Sequence, residues 1–402
     1  MKANYPMGMQ EFTSSTYYPS GRLSADVLAM QNRQLNVAQS WQEVHQVLTS
    51  TSPASSSPPD LFGLAIYHYC VYKAIGQEHA LLAYRSFGQL IAHLDQHPAT
   101  GWTGPALNQV CMVAWLSSQP VPEGFLTAAA QATLARLDQA LQAEAFRLLQ
   151  LSDGTSRGNF FRVVRYFALR PPVPFISHCL RQLLAAPLLF TSTEPLQLGL
   201  SAGLADELLV LIGLHQSGNQ ADDIKQRVYA GIQRILATKR DVDFSEQQYA
   251  VFPYQVHSQL KEASFSSELS WRRGDIGQSL LLYKAHGLLQ DPELLNIAEL
   301  IGLNTLLRTT SDNTEIAGSQ VDKGAAGLAY LYHKLCQISG NGAYQRGQIF
   351  WLAQTQHWLQ QELATGFYEH RQGDLLEGLV GVGLVLLSAT TEKELEWDKI
   401  VL

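Results

Sequence analysis

Charge is scarce in this 402-residue chain: Asp, Glu, Lys and Arg make up 16% of it, while hydrophobic residues make up 46%. That charged fraction lies well below the usual quarter, so the chain buries much of itself and is not disordered. Basic runs are missing, and 28 Lys+Arg against 35 Asp+Glu give a net charge of −7. A phosphate-binding surface, and with it nucleic acid, is thereby excluded as the main partner. No stretch of about 18 residues is free of charged or polar breaks, which excludes a membrane span. The opening MKANYPMGMQEF holds no apolar segment of the secretory kind, so a cytoplasmic location is expected. Cysteine is sparse. Cys70, Cys111, Cys179 and Cys336 stand singly without a CxxC pair, so neither a disulfide framework nor a clustered zinc site is expected, and they read as reduced packing thiols. The histidines form no HExxH or His-x-His pair; His68, His215 and His333 read as hydrogen-bonded structural residues. His178 and Cys179 are adjacent, so their side chains diverge on a helix and form no dyad. GxSxG, P-loop and dinucleotide fingerprints are absent too, and no cofactor is expected.

What remains is helical. Residues 124–150 are rich in Ala, Leu, Gln and Glu, with apolar residues recurring at three and four, and 291–307 and 346–363 read alike. With β-branched alternation almost missing, an all-α class follows. Loop compositions fall at 51–59, 170–174, 191–197 and 310–320, none long enough for an interdomain tether. The expected organisation is a helical or partly disordered extension over 1–50 and a single domain over 51–402. A less regular stretch, 238–265, holds Tyr249, Phe252, Pro253 and Tyr254; it reads as an extended insertion without further assignment.

An internal repeat organises the chain. A Gly-x-x-Gly frame opens an apolar helical run at Gly101/Gly104, Gly274/Gly277, Gly324/Gly327 and Gly378/Gly381. Gly199/Gly203 carries one extra residue, and Gly63 and Gly154/Gly158 mark weaker copies. The second glycines lie 41 to 74 residues apart, enough for two helices and their turns. A glycine at a helix start lets another backbone approach and leaves N–H groups free to face a cavity. Behind it, Leu328, Leu331, Tyr332 and Leu335 form a helical stripe, as do Leu204, Leu208, Leu211 and Ile212, while the run after Gly378 is apolar all round. Seven inner helices, each wrapped by an outer one, predict a closed α/α toroid. The alternative is an open helical solenoid, but open arrays need polar capping repeats and the end copies here are as apolar as the middle ones.

The fifth copy, SELSWRRGDIGQSLLLYKA, resembles the lanthionine synthetase C-like family, whose segment reads W-C-Y-G-x-x-G. VDKGAAGLAYLYHKL is similar to that family's C-H-G-x-A-G, GLSAGLAD to its G-L-x-H-G-x-A-G, GLVGVGLVLL to its last glycine-rich helix, and EWDKIVL to its C-termini. The likeness covers roughly residues 55 to 402. It implies an α/α toroid whose mouth holds one zinc on two cysteines and one histidine. That zinc deprotonates a substrate cysteine thiol for addition to a dehydroamino acid, closing a thioether ring.

Carried over residue by residue, the zinc ligands are gone. The first cysteine falls on Arg272 and the following tyrosine on Arg273, with Trp271 and Gly274 kept. The second cysteine falls on Asp322 and the histidine ligand on Lys323, with Gly324 kept. The family's candidate acid/base histidine is Ala202, and the arginine four positions before the first ligand is Glu268. An acidic catalytic residue of the third repeat falls near Asp153, one position out of register with Gly158. Arginine and protonated lysine offer no lone pair, so no metal is expected at Arg272, Asp322 and Lys323. The resemblance instead seats Arg272 beside Asp322 and predicts a bidentate ion pair, with Lys323 and Arg273 ringing the mouth.

The expected function is a zinc-free pseudoenzyme that binds a precursor peptide or a peptide-modifying enzyme at a mouth of Trp271, Arg272, Arg273, Asp322, Lys323 and Ala202. Around them stand Gly203, Gly274, Gly277, Gly324, Gly327, Gly378 and Gly381. The alternative is an enzyme of altered chemistry. With Asp153 and Glu268 as candidate catalytic residues, it would be a metal-free thioether cyclase or lyase, or a carbohydrate-active toroid using the carboxylates Glu268, Asp206 and Asp275. The last two sit just inside helix N-termini, where exposed N–H groups favour a carboxylate anyway.

Overall fold

Helices alternate between an outer and an inner layer along the chain. The first six are α1 (Val37–Ser50), outer; α2 (Pro58–Ile75), inner; α3 (Ala80–Gln96), outer; α4 (Gly104–Ser118), inner; α5 (Ala128–Leu149), outer; and α6 (Gly154–Leu169), inner. Then come α7 (Pro174–Ala185), outer; α8 (Leu204–Gln216), inner; α9 (Asp222–Leu236), outer; α10 (Asp275–Leu289), inner; and α11 (Pro292–Thr305), outer. The one-turn α12 (Ser311–Thr314) precedes inner α13 (Ala325–Ser339), outer α14 (Gly342–Ala364) and inner α15 (Leu379–Thr390). The computed structural model describes residues 37–50, 58–96, 104–119, 127–151, 153–185, 195–201, 203–218, 222–257 and 262–402. Residues 1–36 of the expected extension lie outside these.

Each inner helix packs on the inner helices before and after it, and α15 packs back on α2. The ring is therefore a closed toroid, not an open solenoid. Its last inner helix is covered by the first outer one: α1 lies along α15, burying Val37, Ser40, Val44 and Leu48 at helical spacing. Local chemistry supports these helices in familiar ways. Thr127, Asp291 and Asn341 cap α5, α11 and α14 by accepting from first-turn N–H groups, and Gly340 ends α13 in the left-handed region at φ 69°.

Sequence periodicity predicts one-sided apolar stripes on α8 and α13, but every residue from Leu204 to Ile212 and from Ala325 to Tyr332 is buried. The outer layer covers one side, and within the ring the C-terminal segment packs against α4, α6 and α13. Trp397, fully buried, stacks at 6.3 Å on Trp271 and lies 4.5 Å from the Tyr330 ring. Its indole N–H donates to Ser388 Oγ at 3.1 Å, and Asp398 beside it pairs with Lys334 Nζ at 2.9 Å. The second glycines of the frames do what close approach requires. A Cβ on Gly327 would stand 1.9 Å from the Val321 carbonyl oxygen, and one on Gly381 2.0 Å from that of Leu375. Each preceding loop thus lies directly on its helix.

The unassigned stretch 238–265 ends in a small antiparallel sheet of β1 (Leu196–Gln197), β2 (Gln255–His257) and β3 (Glu262–Ser264), in that order, with Leu196 opposite Val256 and Gln255 opposite Ser264. It borders the N-terminal ends of α8 and α10. Among the described residues, no helix is long and apolar enough to cross a membrane.

Candidate functional site

The mouth is built where loops run into inner helices. Gly203, Gly274, Gly324 and Gly378 are the N-caps of α8, α10, α13 and α15, and none offers a side-chain cap. The sequence leaves the N–H groups behind them free to face a cavity. Several are instead occupied: Ala205 N donates to Leu198 O (3.4 Å), Ala325 N to Gly318 O (2.9 Å) and Val380 N to Gln372 O (2.9 Å). The loops satisfy the helix ends themselves, which leaves side chains to decide the chemistry of the mouth.

At its centre Arg272 Nε donates to Asp322 Oδ1 at 3.1 Å, and Nη2 donates to Oδ2. This is the fork-on-fork geometry that a guanidinium and a carboxylate form best. The backbones are stitched together beneath it. Arg272 N donates to Asp322 O at 3.2 Å, and Asp322 N and Val321 N donate to Leu376 O at 2.9 and 3.1 Å. A Cβ on Gly199 would lie 2.2 Å from the Arg272 carbonyl oxygen, so the loop before α8 leans on the same point. Asp322 is 2% exposed and Arg272 34% exposed; the carboxylate is buried and the guanidinium seals it. A second acid, Glu377, stands 3.6 Å from Arg272 Nη2. Burial alone would lower the Arg272 pKa, but the Asp322 and Glu377 carboxylates raise it.

Arg273 points to the neighbouring side. Its Nη1 lies 3.7 Å from buried Glu268 Oε2, and its guanidinium lies 4.6 Å from the Tyr254 ring centroid. Glu268 also accepts from Ser270 Oγ at 2.6 Å. The turn that makes this possible bonds Ser270 N to Arg273 O at 2.8 Å and forces Gly274 to φ 106°, a conformation that favours glycine. Lys323 is exposed. Near it, Glu315 accepts from Ser267 Oγ (2.7 Å) and Ser266 Oγ (2.9 Å). Burial works against the Glu315 anion, but these donors and the Lys323 and Arg273 cations hold its carboxyl below the usual range.

The remaining candidates are structural. Asp153 caps α6, accepting from Ser156 N at 2.8 Å and Ser156 Oγ at 2.6 Å. Asp206 accepts from buried Arg165 at 2.5 Å. Asp275 accepts from Val251 N and Phe252 N, each at 3.0 Å, and from Arg308 Nη1 at 3.3 Å. Asp206 and Asp275 are thus consumed by partners on other elements, beyond the helix-end preference read from the sequence. Ala202 lies outside the described residues. Sequence reasoning missed Glu377, Glu315, Ser270, Tyr254 and Arg308. A signal for Glu377 was there: Arg273, Lys323 and Glu377 each immediately precede a frame-opening glycine.

Arg272, Asp322 and Lys323 do not suit the zinc ion of the resembled family. Two of the three seats hold cations without a lone pair, and both oxygens of the third are taken by Arg272. Among the described residues no group of three His, Cys, Asp or Glu side chains is placed to hold a metal. Cys70, Cys111 and Cys179 are buried, and Cys336 is half-buried, on α2, α4, α7 and α13. Burial pushes the Cys111 thiol up to about 12.

A family model described as lanthionine synthetase C-like protein matches residues 185–402. Among solved structures, a nisin cyclase superposes with a TM-score of 0.65 at 14% identity, over 92% of this chain and 97% of that one. No curated protein matches the chain.

Proposed function

Because the chain belongs to the lanthionine synthetase C-like family, we propose that it is a zinc-free pseudoenzyme that binds a peptide, or a peptide-modifying partner, at the mouth of its ring. One observation carries this reading: a saturated Arg272–Asp322 fork stands where the family's metal donors would be. Without those donors Arg272, Asp322 and Lys323 cannot hold a metal that would lower the pKa of a substrate thiol, yet the described loops around the mouth keep their stitched backbone. The nisin cyclase likeness makes a precursor peptide of the thioether type the first partner to test.

Arg272 is held by Asp322 through Nε and Nη2, with Glu377 3.6 Å from Nη2, so the cations less tightly held at the mouth are Arg273 and Lys323. Arg273 is only loosely held by Glu268 at 3.7 Å, and Lys323 forms no ion pair among the described residues. The Tyr254 ring beside Arg273 adds an apolar face. An acidic peptide fits this set, its carboxylates bonding the two cations. Replacing Arg273 and Lys323 together by glutamate should weaken binding of a fluorescein-labelled Glu/Ser/Cys peptide by about tenfold in fluorescence anisotropy. An unchanged Kd would reject the mouth as the binding surface. The same peptide carrying dehydroalanine should close no ring faster with the protein than without it; faster closure would favour the metal-free cyclase alternative. The carbohydrate-active alternative draws no support from Asp206 and Asp275, each locked to a buried arginine.

A further inference from the structure

A cavity lies away from the mouth, between the C-terminal halves of α6 and α8, Lys284 of α10 and the C-terminal segment. It encloses about 360 Å³, within the range of small-molecule sites. Leu169, Leu209 and Ile212 contribute to an apolar wall. The charged side chains that line it are Arg165, Lys284 and Lys399, with no Asp or Glu side chain among them; Leu402, which carries the α-carboxylate, lines it too but forms no ion pair among the described residues. Lys284 lies nine residues beyond Asp275, about 14 Å along the helix axis.

We propose that this cavity binds a small molecule with an apolar body and one carboxylate, the carboxylate seated on Lys284. The cations differ in availability. Arg165 is tied by one edge to Asp206 at 2.5 Å, and the exposed Lys399 is tied to Glu396 at 2.5 Å. Lys284 is half-buried and in no ion pair among the described residues. The acid that attracts it, Asp398, is already bonded by Lys334 at 2.9 Å. Burial pushes the Lys284 pKa down, and the cations Lys334, Arg165 and Lys399 add to that fall against the pull of Asp398, as expected for a cation drawn from water with no acid of its own in contact. A bound carboxylate would supply that contact, and the apolar wall would take the rest of the molecule. Neither a bare anion nor an uncharged apolar molecule satisfies both halves of the site.

The test uses the full chain and three probes in isothermal titration: octanoate, octan-1-ol and acetate. Octanoate should bind, and the other two should bind at least about tenfold more weakly. Lys284→Met, which removes the charge and keeps the length, should weaken octanoate at least about tenfold, and Lys284→Arg should retain it. Lys399→Met, a change at an exposed side chain, should weaken octanoate by a smaller factor, which provides a second variant should Lys284→Met fold poorly. Absence of octanoate binding, octanol binding as tightly as octanoate, or full affinity in Lys284→Met would each overturn the proposal. Peptide binding at the mouth should be the same in wild type and Lys284→Met, so the two sites fail or stand separately.

Discussion

Replacing Asp275 by alanine should destabilise the fold by about 4 kcal/mol, the range for breaking a buried ion pair at one end. Arg308 is fully buried, and its Nε and Nη2 are committed to Asn313 O at 2.9 Å and Ser267 O at 2.5 Å. Asp275 is its only ion-pair partner among the described residues. Without Asp275 the guanidinium charge is stranded, and Val251 N and Phe252 N lose their acceptor as well. Burial raises the Asp275 pKa, and Arg308 and the Val251 and Phe252 N–H groups oppose that rise. The double change Asp275→Ala with Arg308→Met should recover much of the loss, since it removes the stranded charge along with the acid. Urea unfolding of the two variants checks both statements. A loss under about 1 kcal/mol in the single variant would show that Arg308 finds another partner.

Acid should cost a comparable amount through one histidine. His68 is 2% exposed, its Nδ1 lies 2.7 Å from Ser86 Oγ, and its Nε2 has no hydrogen-bond partner among the described residues. Burial first, then the like charges of His45 and His79, push its pKa from 6.5 down to about 4. The unfolded chain therefore takes up a proton as pH falls through 6.5 while the folded chain stays neutral to about 4. Stability is lost across that window, by about 3 kcal/mol from this group. His45 shifts in the same direction, by burial and by His79, and it sits on α1, the helix that covers α15. Urea midpoints at the two ends of the window should differ in wild type and differ much less in His68→Gln. Equal slopes in both proteins would contradict the assignment.

The ring was legible because its glycines do local work that a sequence must record. Gly327 and Gly381 admit a loop carbonyl where any Cβ would collide, and no distant residue can compensate for that. The Arg272–Asp322 fork was legible for a related reason: each residue sits at a fixed offset from a frame glycine, and the frames share one geometry. What escaped depends on meetings between distant segments. That α1 completes the outer layer follows from ring closure, which brings Gln356 within 3.3 Å of Ser40, and no periodicity encodes it. Trp397 under Trp271 likewise joins the end of the chain to the mouth. The stretch 238–265 resisted assignment because its order comes from residues far apart in sequence: from Asp275 outside it, which accepts from Val251 N and Phe252 N, and within it from Arg240, which lies 3.6 Å over the Phe265 ring. Two acids of the mouth escaped for the same reason. Glu315 folds in beside Lys323 and Arg273, and Glu377 beside Arg272, meetings that no local pattern records.

Metal stoichiometry tests the exchange of a metal for an ion pair most directly. The full chain, incubated with excess zinc at neutral pH, desalted and analysed by inductively coupled plasma mass spectrometry, should retain no stoichiometric zinc. One zinc per chain, held through desalting and lost when Asp322 is replaced by alanine, would contradict the account.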